Sequence, residues 1–224
     1  MRSKAKRISS RQFKDLVYQN LARFAGALSA PVRLELLDLL CQSERTGEVL
    51  AALTNSSVAN VSHHLQTLKG AGLVESRRAG KYIFYSATSS GMKCWASLAQ
   101  TGEESLPELR LAVHDFFFDI ETSEEISIQE LSKKARKGEI IVIDVRPQEE
   151  YDTWHVPGAL NLPMEELDAK LTSLPSGKRI MAYCRGPYCV LSREAVMRLR
   201  AKGFQACRVA LDLVAQRSSL EHSE

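Results

Sequence analysis

The chain has 224 residues, of which 44% are hydrophobic and 25% are charged, and its formal net charge is +3. These proportions are those of an ordinary globular protein, and they exclude fibrous and intrinsically disordered classes. The length predicts two compact domains of about 100 residues each. No apolar run approaches the roughly 20 residues needed to cross a bilayer, and no apolar segment follows the basic N-terminus. We therefore expect a cytoplasmic protein that has no membrane partner.

The first third of the chain shows a helical pattern with clear interruptions. Apolar residues recur at helical spacing from Lys14 to Leu40, and a break at residues 29–31 separates two helices. A short helix after Thr46, a polar turn at residues 54–57 and a longer helix over residues 58–71 follow. This order of short helix, turn and longer helix is typical of a helix-turn-helix.

A β-hairpin is predicted directly after the longer helix. Residues 73–85 form two β-rich runs around a turn at Ala79-Gly80. Further helices are expected over residues 90–99 and 103–118, and their broad apolar surfaces are of the kind that packs a dimer. The N-terminal half is therefore predicted to be a mainly α winged helix-turn-helix domain.

Composition changes near residues 120–123, where we place a domain boundary between residues 1–121 and 122–224. In the second domain strands alternate with helices, which predicts an α/β fold with a parallel sheet and an active site at the carboxyl ends of its strands. The helices are expected over residues 128–136, 165–171 and 193–202, and the strands over residues 139–145 and 180–183.

The longer helix and the hairpin carry the side chains expected of a DNA-binding site. In a helix-turn-helix the second helix enters the major groove, where Asn and Gln suit adenine, and basic residues of a wing contact phosphates. The alternative is that these residues form only the solvated face of an amphipathic helix. The candidates are Asn60, Ser62, His63, His64, Gln66 and Lys69 on the helix, and Arg77, Arg78 and Lys81 around the wing turn.

Residues 12–118 resemble the ArsR/SmtB family of winged-helix repressors. The resemblance rests on the motif LSAPVRLELL at residues 28–37 and on SHHL at residues 62–65. It implies a homodimer that binds an inverted repeat in double-stranded DNA and is released by an inducer. Metal-sensing members carry paired cysteines in the short helix, and residues 46–51 contain none. We therefore expect no metal and no cofactor.

The chain contains five cysteines and no export signal, which makes structural disulfides unexpected. Cys41 lies where the sulfide-responsive members of that family have one cysteine, and Cys94 is the other cysteine of the N-terminal half. These two residues are either a dithiol redox switch or buried structural thiols.

A third cysteine lies in a loop between a buried strand and a helix. Cys184 is followed by Arg185, Gly186 and Pro187. Backbone N–H groups converge in such a turn, next to a positive helix end, and stabilise a thiolate or the anionic outer sulfur of a persulfide. We expect a lowered pKa for Cys184, to which Arg185 adds charge, and the alternative is a cysteine that only packs.

Residues 127–209 resemble the rhodanese family of sulfurtransferases. The motifs that carry the resemblance are the Cys184 loop, residues 144–151 and residues 155–163. The resemblance implies that Cys184 is a nucleophile that forms a persulfide with a sulfane-sulfur donor.

The resemblance also implies roles for three residues upstream of the loop. Asp144 and Arg146 are expected near the pocket, and Glu150 is expected to pair with Arg146. The related phosphatases of this fold place an arginine six residues after the cysteine, and that position is Val190 here. Phosphate-ester chemistry is therefore not expected.

The loop departs from the family pattern at Cys189, where an arginine is usual. Cys189 is either a resolving thiol, which releases sulfide from a Cys184 persulfide and leaves a disulfide, or a residue that only packs in the loop. Cys207 is expected to be a strand thiol with no special partner.

Taken together, the patterns predict a DNA-binding transcriptional repressor whose rhodanese domain forms a persulfide on Cys184, with consequences for DNA affinity. Two alternatives stay open. Sulfur transfer is the main activity in the first, and rapid turnover with a sulfur acceptor would favour it. In the second the rhodanese domain is catalytically inactive, and an unreactive Cys184 would favour it.

Overall fold

The computed structural model describes residues 8–120, 126–171, 174–175, 177–211 and 213–214. Two compact units divide between Gly91 and Met92. The boundary expected between residues 121 and 122 falls in the stretch 121–125, which is outside the described residues, and it stays a prediction. Among the described helices, none is both long and apolar enough to span a membrane.

The first unit is a helical domain with a small antiparallel sheet. The sheet has the strand order β1-β3-β2, and β1 was not predicted from the sequence. The winged-helix prediction is confirmed. Its elements are α1 (Ser10–Leu28), α2 (Pro31–Gln42), β1 (Arg45–Thr46), α3 (Gly47–Leu53), α4 (Val58–Gly70), β2 (Val74–Ala79) and β3 (Tyr82–Ala87).

Local chemistry sets where these helices begin. Ser9 forms a reciprocal capping box with Gln12 at the start of α1. The hydroxyls of Thr46 and Ser57 accept a backbone N–H at the starts of α3 and α4, which satisfies donors that the helix itself leaves unpaired. The turn of the hairpin has Gly80 at a φ of +60°, a conformation that glycine adopts without strain.

The second unit contains the predicted parallel sheet, with the strand order β5-β4-β6-β7. Helix α5 begins in the first unit and continues into the second. The elements are α5 (Ser89–Ser105), α6 (Pro107–Phe117), α7 (Ile128–Arg136), β4 (Ile141–Asp144), α8 (Gln148–Thr153), β5 (Leu160–Asn161), α9 (Leu167–Lys170), β6 (Ile180–Tyr183), α10 (Leu191–Ala201) and β7 (Ala206–Arg208).

The break between helices α5 and α6 lies at a different position from the one predicted. The sequence suggested helices over 90–99 and 103–118, whereas α5 continues to Ser105 and α6 begins at Pro107. The helix tolerates Gly102, but Pro107 has no N–H to continue α5 and its fixed φ suits a first helical turn.

Part of the surface predicted to pack a dimer packs within the second unit instead. Phe117 and Ile120 are buried in the core cluster beneath the parallel sheet, and Val113 packs against it. Arg193 and Arg200 of α10 donate hydrogen bonds to the carbonyls of Phe116 and Asp119, at 2.9 and 2.6 Å. These contacts hold α6 and the residues after it against the second unit.

The start of α5 depends on a close approach to the end of α4. Thr88 donates its backbone N–H to the Leu73 carbonyl at 3.0 Å, and the Thr88 hydroxyl accepts the N–H of Gly91 at 3.0 Å. A Cβ added to Gly91 would overlap the Leu73 carbonyl.

We expect Gly91→Ala to destabilise the first unit by about 1–3 kcal/mol, because the added methyl forces the backbone apart. Urea denaturation followed by circular dichroism measures the change. Gly70→Ala is the matched control, since a Cβ there meets nothing within 4 Å, and it should be as stable as the parent or up to about 1 kcal/mol more stable. Equal stability of the two variants would contradict the close approach.

Candidate functional site

The candidate sulfur site lies at the carboxyl end of β6. Cys184 follows the last residue of this buried strand and is 3% exposed. Neighbouring strands end at the same edge, because Asp144 of β4 is in register with Tyr183 and Ala182 is in register with Arg208 of β7. The predicted position of the site at the strand ends therefore matches the geometry of Cys184.

Hydrogen bonds surround the Cys184 thiol. Its Sγ lies 3.1 Å from the carbonyl oxygen of Cys189 and 3.2 Å from the hydroxyl of Ser192, which is in the first turn of α10. Burial raises the pKa of this thiol, but hydrogen bonds from the Cys189 side chain and from the side chain and backbone of Ser192, and then the charge of Arg208, lower it to a net pKa of about 7. A substantial thiolate fraction at neutral pH follows, as nucleophilic chemistry requires.

Arg208 is a residue of the candidate site that sequence reasoning missed. It lies at the end of β7, is 2% exposed, and donates from Nη2 to the carbonyl oxygens of Pro187 and Gly186 at 2.9 and 3.5 Å. The ring of Phe117 covers its guanidinium, with 3.7 Å between Cζ and the ring centroid. The sequence signal is an arginine that ends an apolar strand, and its meaning depends on which strands are neighbours.

Arg185 is ion-paired with Glu150, and its predicted contribution of charge at Cys184 stays a prediction. Its Nε donates to both carboxylate oxygens of Glu150 at 3.0 and 2.9 Å, and its Nη2 donates to Oε1 at 2.6 Å. The resemblance assigned Glu150 to Arg146. The structure shows Glu150 ion-paired with Arg185, and although burial lowers the pKa of Arg146, the charges of Asp144 and then of Glu150 raise it.

Asp144 and Arg146 form a buried ion pair beside β6. Nε and Nη2 of Arg146 donate to the carboxylate at 2.9 and 2.6 Å, and the Arg146 backbone N–H donates to it at 3.0 Å. Nη2 also donates to the carbonyl of Trp154 at 2.7 Å. The pair holds the turn after β4, and direct contact with a sulfur donor stays a prediction.

Cys189 lies close to Cys184 in the same loop. It is 8% exposed, and its pKa is raised by its hydrogen bond to the Cys184 thiol and by burial. Its role as a resolving thiol stays a prediction. Cys207 lies in β7, where its Sγ is 3.8 Å from the carbonyl of Ile180, as expected of a strand thiol.

All five cysteines are free thiols in the structure. Cys41 is buried in α2, and burial raises the pKa of Cys94 in α5. A raised pKa reduces the thiolate fraction and so works against Cys94 as the reactive thiol. The dithiol switch of Cys41 and Cys94 stays a prediction.

The helix predicted to read DNA presents most of its polar residues to solvent. Its exposed members are Asn60, Ser62, His63, Gln66 and Lys69. Lys69 donates from Nζ to the hydroxyl of Ser76 on β2 at 2.6 Å, which connects this helix to the hairpin. At the wing turn, Arg78 donates to the Gly80 carbonyl at 3.1 Å, and Lys81 lies over the ring of Tyr82.

Two of the predicted DNA contacts are engaged within the protein. His64 is half-buried, its Nδ1 lies 3.4 Å from Nη1 of Arg33, and its pKa is lowered by burial and then by the Arg33 charge. Arg77 forms a bidentate ion pair with Glu44 and lies over the ring of Phe84. Partners distant in sequence therefore hold these two side chains, and their contact with DNA stays a prediction.

Within the described ranges, no group of three or more His, Cys, Asp or Glu side chains is arranged to hold a metal ion.

Replacing Asp144 by asparagine should destabilise the second unit by about 3–5 kcal/mol, because Arg146 is left as a buried charge without its carboxylate. Thermal and urea unfolding measure the loss. Asp168→Asn is the control, since its ion pair with Arg198 is exposed and is worth about 0–1 kcal/mol. A loss no larger than that of the control would show that the buried pair contributes little.

Comparison with known proteins assigns both units. Residues 30–76 match the family of bacterial regulatory proteins of the arsR type, and residues 127–211 match the rhodanese-like domain. A tRNA sulfurtransferase of Desulfurococcus amylolyticus is 38% identical over 86 residues, which are 38% of this chain and 16% of that protein.

Two mycobacterial proteins are also similar to the chain. The homodimeric winged helix-turn-helix DNA-binding domain of a possible ArsR-family regulator from Mycobacterium bovis is 34% identical, with a TM-score of 0.41, and the match covers 46% of this chain and 94% of that one. The HTH-type transcriptional regulator Rv0324 of Mycobacterium tuberculosis is 37% identical over 197 residues, which are 88% of this chain and 86% of that protein. The chain therefore belongs to the ArsR family of HTH-type transcriptional regulators and carries a C-terminal rhodanese-like domain.

Proposed function

We propose that the chain is a cytoplasmic, homodimeric repressor that takes up sulfane sulfur on Cys184 and thereby changes its affinity for double-stranded DNA. The observation that carries the proposal is the setting of Cys184. Its thiol has a lowered pKa and lies at a strand end beside Ser192 and Arg208, in a chain that belongs to a family of transcriptional regulators.

The sulfur-transfer step needs only the thiolate and a donor such as thiosulfate, a polysulfide or a low-molecular-weight persulfide. With thiosulfate, the Cys184 thiolate attacks the outer sulfur, an S–S bond forms, and the sulfur–sulfur bond of the donor breaks. Sulfite leaves with the electron pair, so the atoms and the charge balance and no further oxidant is required. The product is an anionic persulfide in a site that stabilises anionic sulfur.

Burial favours small donors over protein donors. Cys184 is 3% exposed, and its sulfur lies beneath the loop that extends to Cys189. A small anion can reach such a thiol through a modest movement of the loop, whereas a folded protein partner would need a larger opening.

The first experiment is the intact mass of the reduced full-length protein before and after thiosulfate or a polysulfide. We expect a gain of one sulfur, about 32 Da, in the parent because Cys184 is ionised near neutral pH. Cys184→Ser should gain nothing. Cys207→Ser is the matched control, because it removes a buried strand thiol and should retain the gain. An adduct that persists in Cys184→Ser would contradict the proposal.

The DNA-binding half of the proposal rests on α4 and the wing. The exposed side chains Asn60, His63 and Gln66 are of the types that bond base edges, and Arg78 and Lys81 lie at the tip of the hairpin where phosphates would be met. His64 and Arg77, which are also held by Arg33 and Glu44, belong to the same proposed DNA-binding surface.

Homodimer formation is supported by an apolar stripe on α1. The stripe consists of Phe13, Leu16, Leu21 and Phe24, which share one face of the helix and are 39–58% exposed. Helices of soluble proteins seldom leave such a face in water, and a second copy of the chain is the occupant that the proposal assigns to it.

The loop of residues 184–189, here called the sulfur loop, also contacts α5, the helix that begins in the DNA-binding unit. Tyr188, which precedes Cys189, donates its hydroxyl to the Ala99 carbonyl of α5 at 3.3 Å, and its ring meets Trp95 edge-on at 6.2 Å. A persulfide enlarges Cys184 by one sulfur atom beneath this loop. We assign to Tyr188 the role of passing the resulting shift of the loop to α5.

This coupling predicts that removal of the Tyr188 side chain abolishes the change in DNA affinity but leaves sulfur uptake intact. Tyr188→Ala should still gain one sulfur on Cys184, but its affinity for DNA should no longer change on persulfide formation, whereas the parent should change by about fivefold or more. The measurement is a binding titration with a duplex selected from a random library by the reduced parent protein.

Val190→Ala is the control, because Val190 is exposed beside the same loop. It should respond to the donor as the parent does. If Tyr188→Ala responds equally well, the signal does not pass through this residue. If the parent forms the persulfide without any change in affinity, the regulatory half of the proposal is wrong.

A further inference from the structure

The arginine within the sulfur loop, Arg185, is paired with a residue outside the loop. Arg185 is held by the Glu150 carboxylate through three contacts of 2.6–3.0 Å. Pro187 has no backbone N–H to offer to an anion. A buried cation from outside the loop can therefore add to the stabilisation of anionic sulfur that Cys189 and Ser192 provide.

Arg208 reaches the sulfur loop from the neighbouring strand. The parallel pairing of β6 and β7 places Arg208 opposite Ala182, two residues before Cys184. From there its Nη2 donates to the carbonyls of both Gly186 and Pro187. These two residues form the middle of the loop, so one guanidinium fixes how the loop bends over the cysteine.

The surroundings of Arg208 increase the effect of its charge on a nearby anion. The residue is 2% exposed, and Phe117 of α6 lies flat against the guanidinium. The Arg208 backbone N–H also donates to the Ile120 carbonyl at 2.7 Å, which places the end of α6 along the edge of β7. A charge shielded from water acts on a nearby anion more strongly than an exposed charge does.

We infer that Arg208 is a positioning residue for sulfur transfer, which holds the sulfur loop over Cys184 and supplies the positive charge that stabilises the anionic sulfur of the thiolate and then of the persulfide. The inference deepens the proposed function and rests on it. It assigns to a strand end outside the cysteine motif a positive charge that adds to what the motif itself supplies.

The test is the pH dependence of Cys184 alkylation by iodoacetamide in the full-length protein, with the Cys184 peptide quantified by mass spectrometry. This readout follows the thiolate directly and does not require persulfide formation. The titratable and charged groups that act on Cys184 are Arg208 on β7 and Cys189 in the loop, and Arg185, paired with Glu150, acts on Cys189.

Arg208→Gln should move the alkylation profile upwards by about one pH unit, which at pH 7 lowers the rate about three- to fivefold. Arg208→Lys retains the charge and should restore most of the rate. Arg200→Gln is the matched control, because Arg200 also donates to the β7 region and to the residues after α6, at Ala206 and Asp119, and should leave the profile unchanged.

An unchanged profile in a folded Arg208→Gln protein would overturn the inference. If that variant fails to fold, Arg208→Lys decides, since a profile displaced by a full pH unit despite the retained charge would equally overturn it. Sulfur uptake measured by intact mass in the same samples separates the two proposals. A parent that shows the expected profile but gains no sulfur would refute the persulfide function and leave the placement of Arg208 intact.

Discussion

The constraint on which the sulfur site depends is the parallel pairing of β6 between β4 and β7. Because all three strands run in the same direction, their carboxyl ends meet at one edge of the sheet. Cys184 follows the central strand, Asp144 ends one neighbour, and Arg208 ends the other.

Three arginines around this edge do different work because their partners differ. Arg146 and Arg185 are bound by the carboxylates of Asp144 and Glu150, and these ion pairs hold the segments after β4 and β6. Arg208 instead donates hydrogen bonds to carbonyls of the sulfur loop, and its charge acts on the Cys184 thiol. The first two arginines are bound by carboxylates, whereas the third is bound to backbone carbonyls, and it is the one for which we infer an effect on the thiol.

Helices α5 and α6 link the chemistry to the remainder of the chain. Helix α5 begins beside Leu73 in the first unit and carries Ala99, which accepts the hydroxyl of Tyr188. Helix α6 contributes Phe117, which covers Arg208. The segment that the sequence suggested mainly as a dimer surface therefore also forms part of the wall of the sulfur site, and a regulator that senses sulfur would need such a shared element.

The sequence by itself determined the order of most elements and the position of the candidate nucleophile, Cys184. Helical periodicity, capping residues such as Ser57, and the loop around Cys184 are local features, because they depend on residues only a few positions apart. The same local reasoning identified the exposed polar face of α4. It missed β1, which needs a partner strand, and it misplaced the break before Pro107, which competing local signals obscured.

Only the tertiary structure decided which side chains meet. His64 with Arg33, Arg77 with Glu44 and Arg185 with Glu150 are separated by more than 30 positions in the chain, and no spacing rule predicts such pairs. Arg208 is a further example, because its position near Cys184 follows from the order of the strands. That order is set by the packing of the whole sheet, and a linear pattern of residues does not contain it.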